Sequence, residues 1–369
     1  MPGITDRGSI LVNELSDGVR VDDIWVELQN AVTVYNEHKT TVASLLSYPT
    51  IQAAAPIAQG LRQEAFERAS EHGVPTAMNP TPDVLKLGFQ YADWDKSTRF
   101  TALALRDMSS EQVTARVSAI MDADARLVQG LVLQRLFDPT PGENDFAHTV
   151  YGLWNGDSIV PPRYMGKSFT GSHNHYLVSQ GAEIDSGDVE AAMALVTEHG
   201  YGLGADSGSQ LILLVNAGAE AEAVQSWRAG EENANGQTAR FDFIPSSNAP
   251  TYLTQSSIVG ALPPTDVDGV PVLGSYGKAW VIESMLVPAG YFAVFATGGP
   301  NSEQNVIARR MHPSPAWQGL RLIEGNWAKY PLVESFFQRG LGTGVRHRGA
   351  ASVMQIKASG SYVAPTVNL

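Results

Sequence analysis

An α+β fold follows from three observations on this sequence. Apolar residues recur at helical spacing near the start, a single helical stripe then runs on for about thirty residues, and the last third alternates apolar with polar residues around Gly and Pro turns. The 369 residues suffice for a large buried core and for two or three domains. With 43% hydrophobic and 17% charged residues the composition is globular, too apolar for disorder and too mixed for a membrane protein.

The first 75 residues read as helix. Ile24, Leu28, Val32 and Tyr35 share one face, and "IQAAAPIAQGLRQEAFERASEHG" is expected to add a second helix with a glycine stop. The period then changes to two. Leu85, Leu87, Phe89 and Tyr91 alternate, a polar stretch "ADWDKS" (Ala92 to Ser97) intervenes, and Thr101, Leu103 and Leu105 alternate again, which predicts a long β-hairpin over Val84 to Leu105 with Trp94 and Lys96 at its tip. Ser109 and Gln112 then form a capping box, opening a helix with Val113, Val117, Ile120, Leu127 and Leu131 on one stripe and a stop at Pro139 and Pro141. Asp122 and Asp124 lie two apart on that helix, point in different directions, and are expected on a solvated face. From Gly142 to about Thr170 the chain, rich in Pro and Gly, reads as loops and short strands. A helix capped by Asp185 or Ser186, a strand "QLILLVN" and a short helix "AEAEAVQSWRAG" follow, and short strands fill the rest.

Several chemistries are excluded or weakened. There is no cysteine, hence no disulfide, thiolate metal site or cysteine nucleophile. No stretch approaches the roughly twenty apolar residues of a membrane helix, and "MPGITDRGSI" does not read as a secretory signal. The net charge of −13 argues against sequence-independent DNA binding by the whole surface. The densest basic segment, with Arg339, Arg346, Arg348 and Lys357, is expected to be a strand pair facing solvent. "GYGLGADSG" follows a helix and precedes a strand, the reverse of a phosphate-binding loop, and "GADSGS" is no nucleophile elbow. In "SHNHY", His173 and His175 could face one metal from a strand, but no other histidine stands in a partner motif. Hydrogen-bonded loop histidines, no metal and no cofactor are therefore expected.

The order of elements carries more than any motif. A helical arm, a long hairpin, one long helix, the helix-strand-helix unit "DVEAAMALVTEHGYGLGADSGSQLILLVNAGAEAEAVQSW", a β-rich stretch and a closing "RGLGTGVRHRGAASVMQI" together resemble the tailed-phage major capsid proteins of the Hong Kong 97 fold, those of actinobacterial phages in particular. The resemblance spans nearly the whole chain. It implies an N-terminal arm over 1–75, an E-loop hairpin over 76–108, a peripheral (P) domain with its spine helix over 109–169, an axial (A) domain over 170–325, and a return to the P domain over 326–369. It further implies hexamers and pentamers closing into an icosahedral shell around double-stranded DNA in the virion, assembled in the host cytoplasm. Portal protein, and scaffold or decoration proteins, would be partners; no membrane and no catalytic activity would be involved. Leu85, Leu87, Phe89, Tyr91, Trp94 and Lys96 would touch the neighbouring subunit. Some members weld their shells through a Lys–Asn isopeptide bond, but Lys96 has no matching Asn and Glu context and is expected to be solvated. Two alternatives remain open on sequence: an encapsulin-type compartment shell of the same fold, and a metal-dependent enzyme using His173 and His175.

Overall fold

The computed structural model describes residues 14–37, 41–59, 68–69, 71, 73–74, 83–204, 207–246, 262–325 and 332–367. A long helix, Ser110–Phe137, joins two sheets. Its start is the expected capping box: the Ser109 hydroxyl accepts from the N3 amide while Ser109 N–H donates to Gln112 Oε1 at 3.2 Å. Its end is fixed by Pro139, and Arg135 donates to the carbonyls of Asp138 and Thr140. At 28 residues it is roughly 42 Å long, enough to take part in two cores. Val113 and Val117 pack with Ile24, Leu28 and Val32 of the helix Val21–Glu37, while Val132, Leu133, Leu136 and Phe137 enter the core under the larger sheet.

That larger sheet has seven strands in the order Tyr176–Val178, Ala351–Gln355, Tyr291–Thr297, Gln210–Asn216, Ala279–Ser284, Gly274–Tyr276 and Phe243–Pro245. Gln210–Asn216 is apolar on both faces because both are covered. Leu211, Leu213 and Val215 meet the helices Ser186–Thr197 and Ala219–Ser226, and Ile212 and Leu214 meet the end of the long helix.

The smaller sheet is organised by one 14-residue strand, Leu332–Val345. Ile307–Arg310 and Arg321–Glu324 pair antiparallel with it, and Ser47–Thr50 adds on in parallel beyond Ile307–Arg310. Ala92–Thr101 pairs with it antiparallel over ten positions, Leu332 opposite Thr101 and Leu341 opposite Ala92.

This last pairing corrects the hairpin expected over Val84 to Leu105. The segment "ADWDKS" is no tip; it lies inside a continuous strand whose exposed face carries Asp93, Asp95 and Ser97. A strand with one wet face tolerates such residues as readily as a turn does, so polarity alone misleads. Ala102–Asp107 is a helix, its first turn capped by Thr101 Oγ1 accepting from Ala104 N–H at 3.1 Å. The actual ribbon joins Asp83–Gly88 to Ala54–Gln59. That second segment was expected to be helical. Pro56 at its centre disfavours a helix interior, whereas a two-stranded ribbon accommodates it. The rest of the expected second helix falls largely outside the described residues.

The strands also divide differently from the expected domain segments. Ile307–Arg310 and Arg321–Glu324, within 170–325, belong to the smaller sheet, and Ala351–Gln355, within 326–369, is buried in the larger one between Tyr176–Val178 and Tyr291–Thr297. Ala351, Val353 and Met354 are buried on opposite faces of this strand, which requires a two-sided core.

Candidate functional site

The ribbon is the feature most clearly offered to the outside. Asp83–Gly88 and Ala54–Gln59 pair with each other and extend neither large sheet. Val84 and Ile51 remain exposed, and Leu85 is half-buried beside Ile57 in a cleft of about 430 Å³ that also meets Tyr164, Tyr201 and Arg346. Leu87 and Phe89, expected to touch a neighbouring subunit, are fully buried at the ribbon's base. Phe89 packs with Tyr48, Ala55 and Ala308, and its carbonyl accepts from Asn144 Nδ2 at 3.2 Å and Arg310 Nη1 at 3.1 Å. Their apolar surface is spent inside the subunit. Tyr91 is half-buried under the Arg310 guanidinium, Trp94 is half-buried opposite Arg339, and Lys96 is exposed opposite Phe337.

Two charged groups read as solvated are structural. Asp124 is buried and receives both arms of Arg339, at 2.5 and 2.6 Å, together with the Tyr35 hydroxyl at 2.9 Å. One carboxylate thereby joins the helix Val21–Glu37, the long helix and the strand Leu332–Val345. Burial, with Asp124 second, pushes the Tyr35 phenol upward. Arg348 is likewise inside. It reaches Asp157 at 2.6 Å, donates to the carbonyls of Gly152 and Leu153, and lies over the Trp154 ring at 4.0 Å. The basic segment is therefore only partly a solvent-facing strand pair.

The histidines depart furthest from expectation. His173 and His175 precede the strand Tyr176–Val178, and His199 follows the helix Ser186–Thr197, where Gly200 at φ +87° turns the chain away. The fold brings the three rings together: Nε2 of His173 lies 3.0 Å from Nε2 of His175 and 2.9 Å from that of His199, and the remaining pair are 3.2 Å apart. His199, the third histidine that sequence reasoning missed, is separated from the pair by a whole helix. His175 is fully buried, and its ring is aimed by Nδ1 donating to the Ala351 carbonyl at 2.6 Å. Phe169 stacks on His199 at 4.1 Å, and Gly349 leaves room for that ring, since a Cβ there would come within 2.8 Å of it. Glu198 Oε1 lies 3.4 Å from His173 Nε2, and its other oxygen meets Lys167. Burial is the main reason the imidazoles of His175 and His199 are pushed down to about 3, and it lowers His173 too.

A protein of Mycobacterium phage Patience is similar to this chain over 99% of its length and 96% of the phage protein's, with 38% sequence identity and a TM-score of 0.74. The chain belongs to the tailed-phage major capsid proteins. Its Hong Kong 97-like fold is shared with the asymmetric unit of the mature capsid of bacteriophage PhiM1, at a TM-score of 0.50 and 10% identity over 87% of this chain and 88% of that one. A scan against protein-family models finds no match, and neither does a search of curated proteins. For a capsid protein the working surfaces are those that meet other copies in an oligomeric shell, and its place is the virion.

Proposed function

We propose that this capsid protein forms hexamers and pentamers that close into an icosahedral head, assembled in the host cytoplasm, with the ribbon Ala54–Gln59/Asp83–Gly88 lapping over the adjacent subunit as an E-loop. The ribbon carries the reading. A two-stranded ribbon is marginal in water by itself, and this one presents exposed Val84 near its far end, with exposed Ile51 just before its base, apolar surface that a neighbouring copy can cover. The five-stranded sheet with the spine helix Ser110–Phe137 is the P domain and the seven-stranded sheet is the A domain. Tyr91, Trp94 and Lys96 then belong to the P-domain sheet and meet neighbours only along its edge or exposed face. Double-stranded DNA is enclosed without specific readout, which suits a net charge of −13. Portal protein, and scaffold or decoration proteins, are partners of the shell. The role is structural, with no catalysis.

Gln59 and Asp83 stand opposite each other at the ribbon's end, so residues 60–82 can be replaced by an Asn-Gly link. The shortened chain is expected to keep its circular dichroism and to lose closed particles in negative-stain microscopy and analytical ultracentrifugation. Full-yield, normally stable shells from that variant would refute the E-loop assignment. A wild-type chain that stays monomeric under every assembly condition would refute the shell reading itself.

A further inference from the structure

We infer that His173, His175 and His199 form a structural binding site for one divalent transition-metal ion, zinc foremost, which pins the loop before the strand Tyr176–Val178 to the end of the helix Ser186–Thr197. The argument starts from proton counting. His175 Nδ1 faces a carbonyl, which can only accept, so that nitrogen carries the proton and Nε2 of the same neutral ring carries a lone pair. That lone pair points into a triangle of three Nε2 atoms, all within 3.2 Å of each other. A triangle cannot alternate donors and acceptors. Whatever tautomers His173 and His199 adopt, at least one edge sets lone pair against lone pair or N–H against N–H, and two of the three rings are substantially buried in that conflict. A cation removes it, because it takes a lone pair from every corner.

The dimensions fit such an ion. With Zn–N bonds of about 2.0–2.1 Å, a metal equidistant from the three nitrogens would sit roughly 1 Å above their plane, with N–Zn–N angles near 95°. That leaves one side open for a fourth donor. Glu198, whose Oε1 is 3.4 Å from His173 Nε2 but not within 4.8 Å of every nitrogen of the triangle, can reach that position through a bridging water. The surroundings have the form of a supporting shell: the Ala351 carbonyl orients His175, and Phe169 clamps His199 face to face. Two positive charges are nearby and each is paired: Arg348 with Asp157 at 2.6 Å, and Lys167 with Glu198. Three imidazole nitrogens suit zinc, cobalt or nickel rather than magnesium or calcium.

The test uses the full-length protein, stripped with chelator and re-equilibrated with zinc sulfate or cobalt chloride alone. Plasma mass spectrometry after gel filtration is expected to find about one zinc per subunit, falling at least about tenfold in His199→Ala and in His173→Ala. Zinc should raise the melting temperature of the wild type and leave that of His199→Ala unmoved. Wild-type protein saturated with cobalt should give intense visible bands of a nitrogen-rich, low-coordinate site, a readout that needs no variant to fold. Absence of bound metal in the wild type at excess zinc would overturn the site. So would undiminished metal in a folded His199→Ala, or a weak octahedral cobalt spectrum like that of the aquo ion.

Discussion

Replacing Arg339 by Met tests whether the buried carboxylate of Asp124 holds the helix Val21–Glu37, the long helix and the strand Leu332–Val345 together. The side chains are 15% and 4% exposed, so this pair belongs with interior ion pairs rather than surface ones. Met keeps the aliphatic stem and removes the guanidinium, leaving Asp124 with the Tyr35 hydroxyl as its remaining observed donor. An interior carboxylate stripped of its partner costs about 3–5 kcal/mol, against about 0–1 kcal/mol for an exposed pair. Removing the carboxylate as well, in Arg339→Met with Asp124→Leu, abolishes the stranded charge. The double variant should therefore recover about 2–3 kcal/mol of the loss, the remainder being the orphaned Tyr35 hydroxyl and imperfect packing. Urea unfolding of the full chain under non-assembling conditions, followed by far-ultraviolet circular dichroism, measures all three corners of the cycle. A single-variant cost below about 1 kcal/mol, or a double variant no more stable than the single, would show that the charge is solvated after all.

Two further outcomes follow from the interior. Burial, with Asp185 second, pushes the Asp188 carboxyl up to about 6 from an ordinary 3.8, so the folded state prefers its protonated form; the resulting penalty is absent below about pH 4, grows through pH 4–6, and is full at neutral pH. Asp188→Asn should raise stability by roughly 1–3 kcal/mol at pH 7.5 and by nearly nothing at pH 4, and equal effects at both pH values in thermal melts would contradict it. Gly342→Ala should cost about 1–3 kcal/mol or more, because its Cβ would fall 1.9 Å from the Gln90 carbonyl oxygen and the backbone there has no flexible end to yield. An unchanged urea midpoint in that variant would mean that the two segments do not cross as closely as described.

How much was legible depended on how local the signal was. The spine helix was fully written in its capping box and apolar stripe, and the strand Gln210–Asn216 in its unbroken apolar run. Strand partners were not, because alternation in Leu85–Leu87–Phe89 says which residues share a face and nothing about which strand lies alongside. The ribbon's true partner, Ala54–Gln59, was hidden by an alanine-rich composition that suits helices, with Pro56 as the overlooked contrary signal. Polar residues in Ala92–Thr101 read as a turn because the strand that pairs with them along ten positions, Leu332–Val345, lies more than two hundred residues away. His199 was invisible for the same reason: no spacing rule links a residue after a helix to an H-x-H pair before a strand. A weak cue existed, in that one histidine closes the helix immediately following the pair. Asp124 was misread because two-apart spacing on a helix excludes a shared site for Asp122 and Asp124 without making either one exposed.

The strand Leu332–Val345 explains why these misreadings cluster around one place. Alternate residues along it serve opposite faces. Phe337 and Arg339 turn toward the spine helix, to Val113 and Val117 and to Asp124, while Gly340, Gly342 and Gly344 form a bare track on the other face. The segment Gly88 to Tyr91 crosses that track at backbone contact over Gly342 and Gly344, with the Tyr91 side chain over Gly340, and Gln90 N–H donates to the Thr343 carbonyl at 3.1 Å. A side chain at Gly342 or Gly344 would lift the crossing segment away. The ribbon leaves the subunit at Gly88, so its direction of exit is set by the same strand that anchors the spine and, through Tyr35, the arm. If the ribbon laps over the adjacent subunit as proposed, that contact inherits its geometry from buried groups of one subunit. A substitution at Gly342 or Arg339, neither of them on the ribbon, should then disturb shell assembly as well as the stability of the chain.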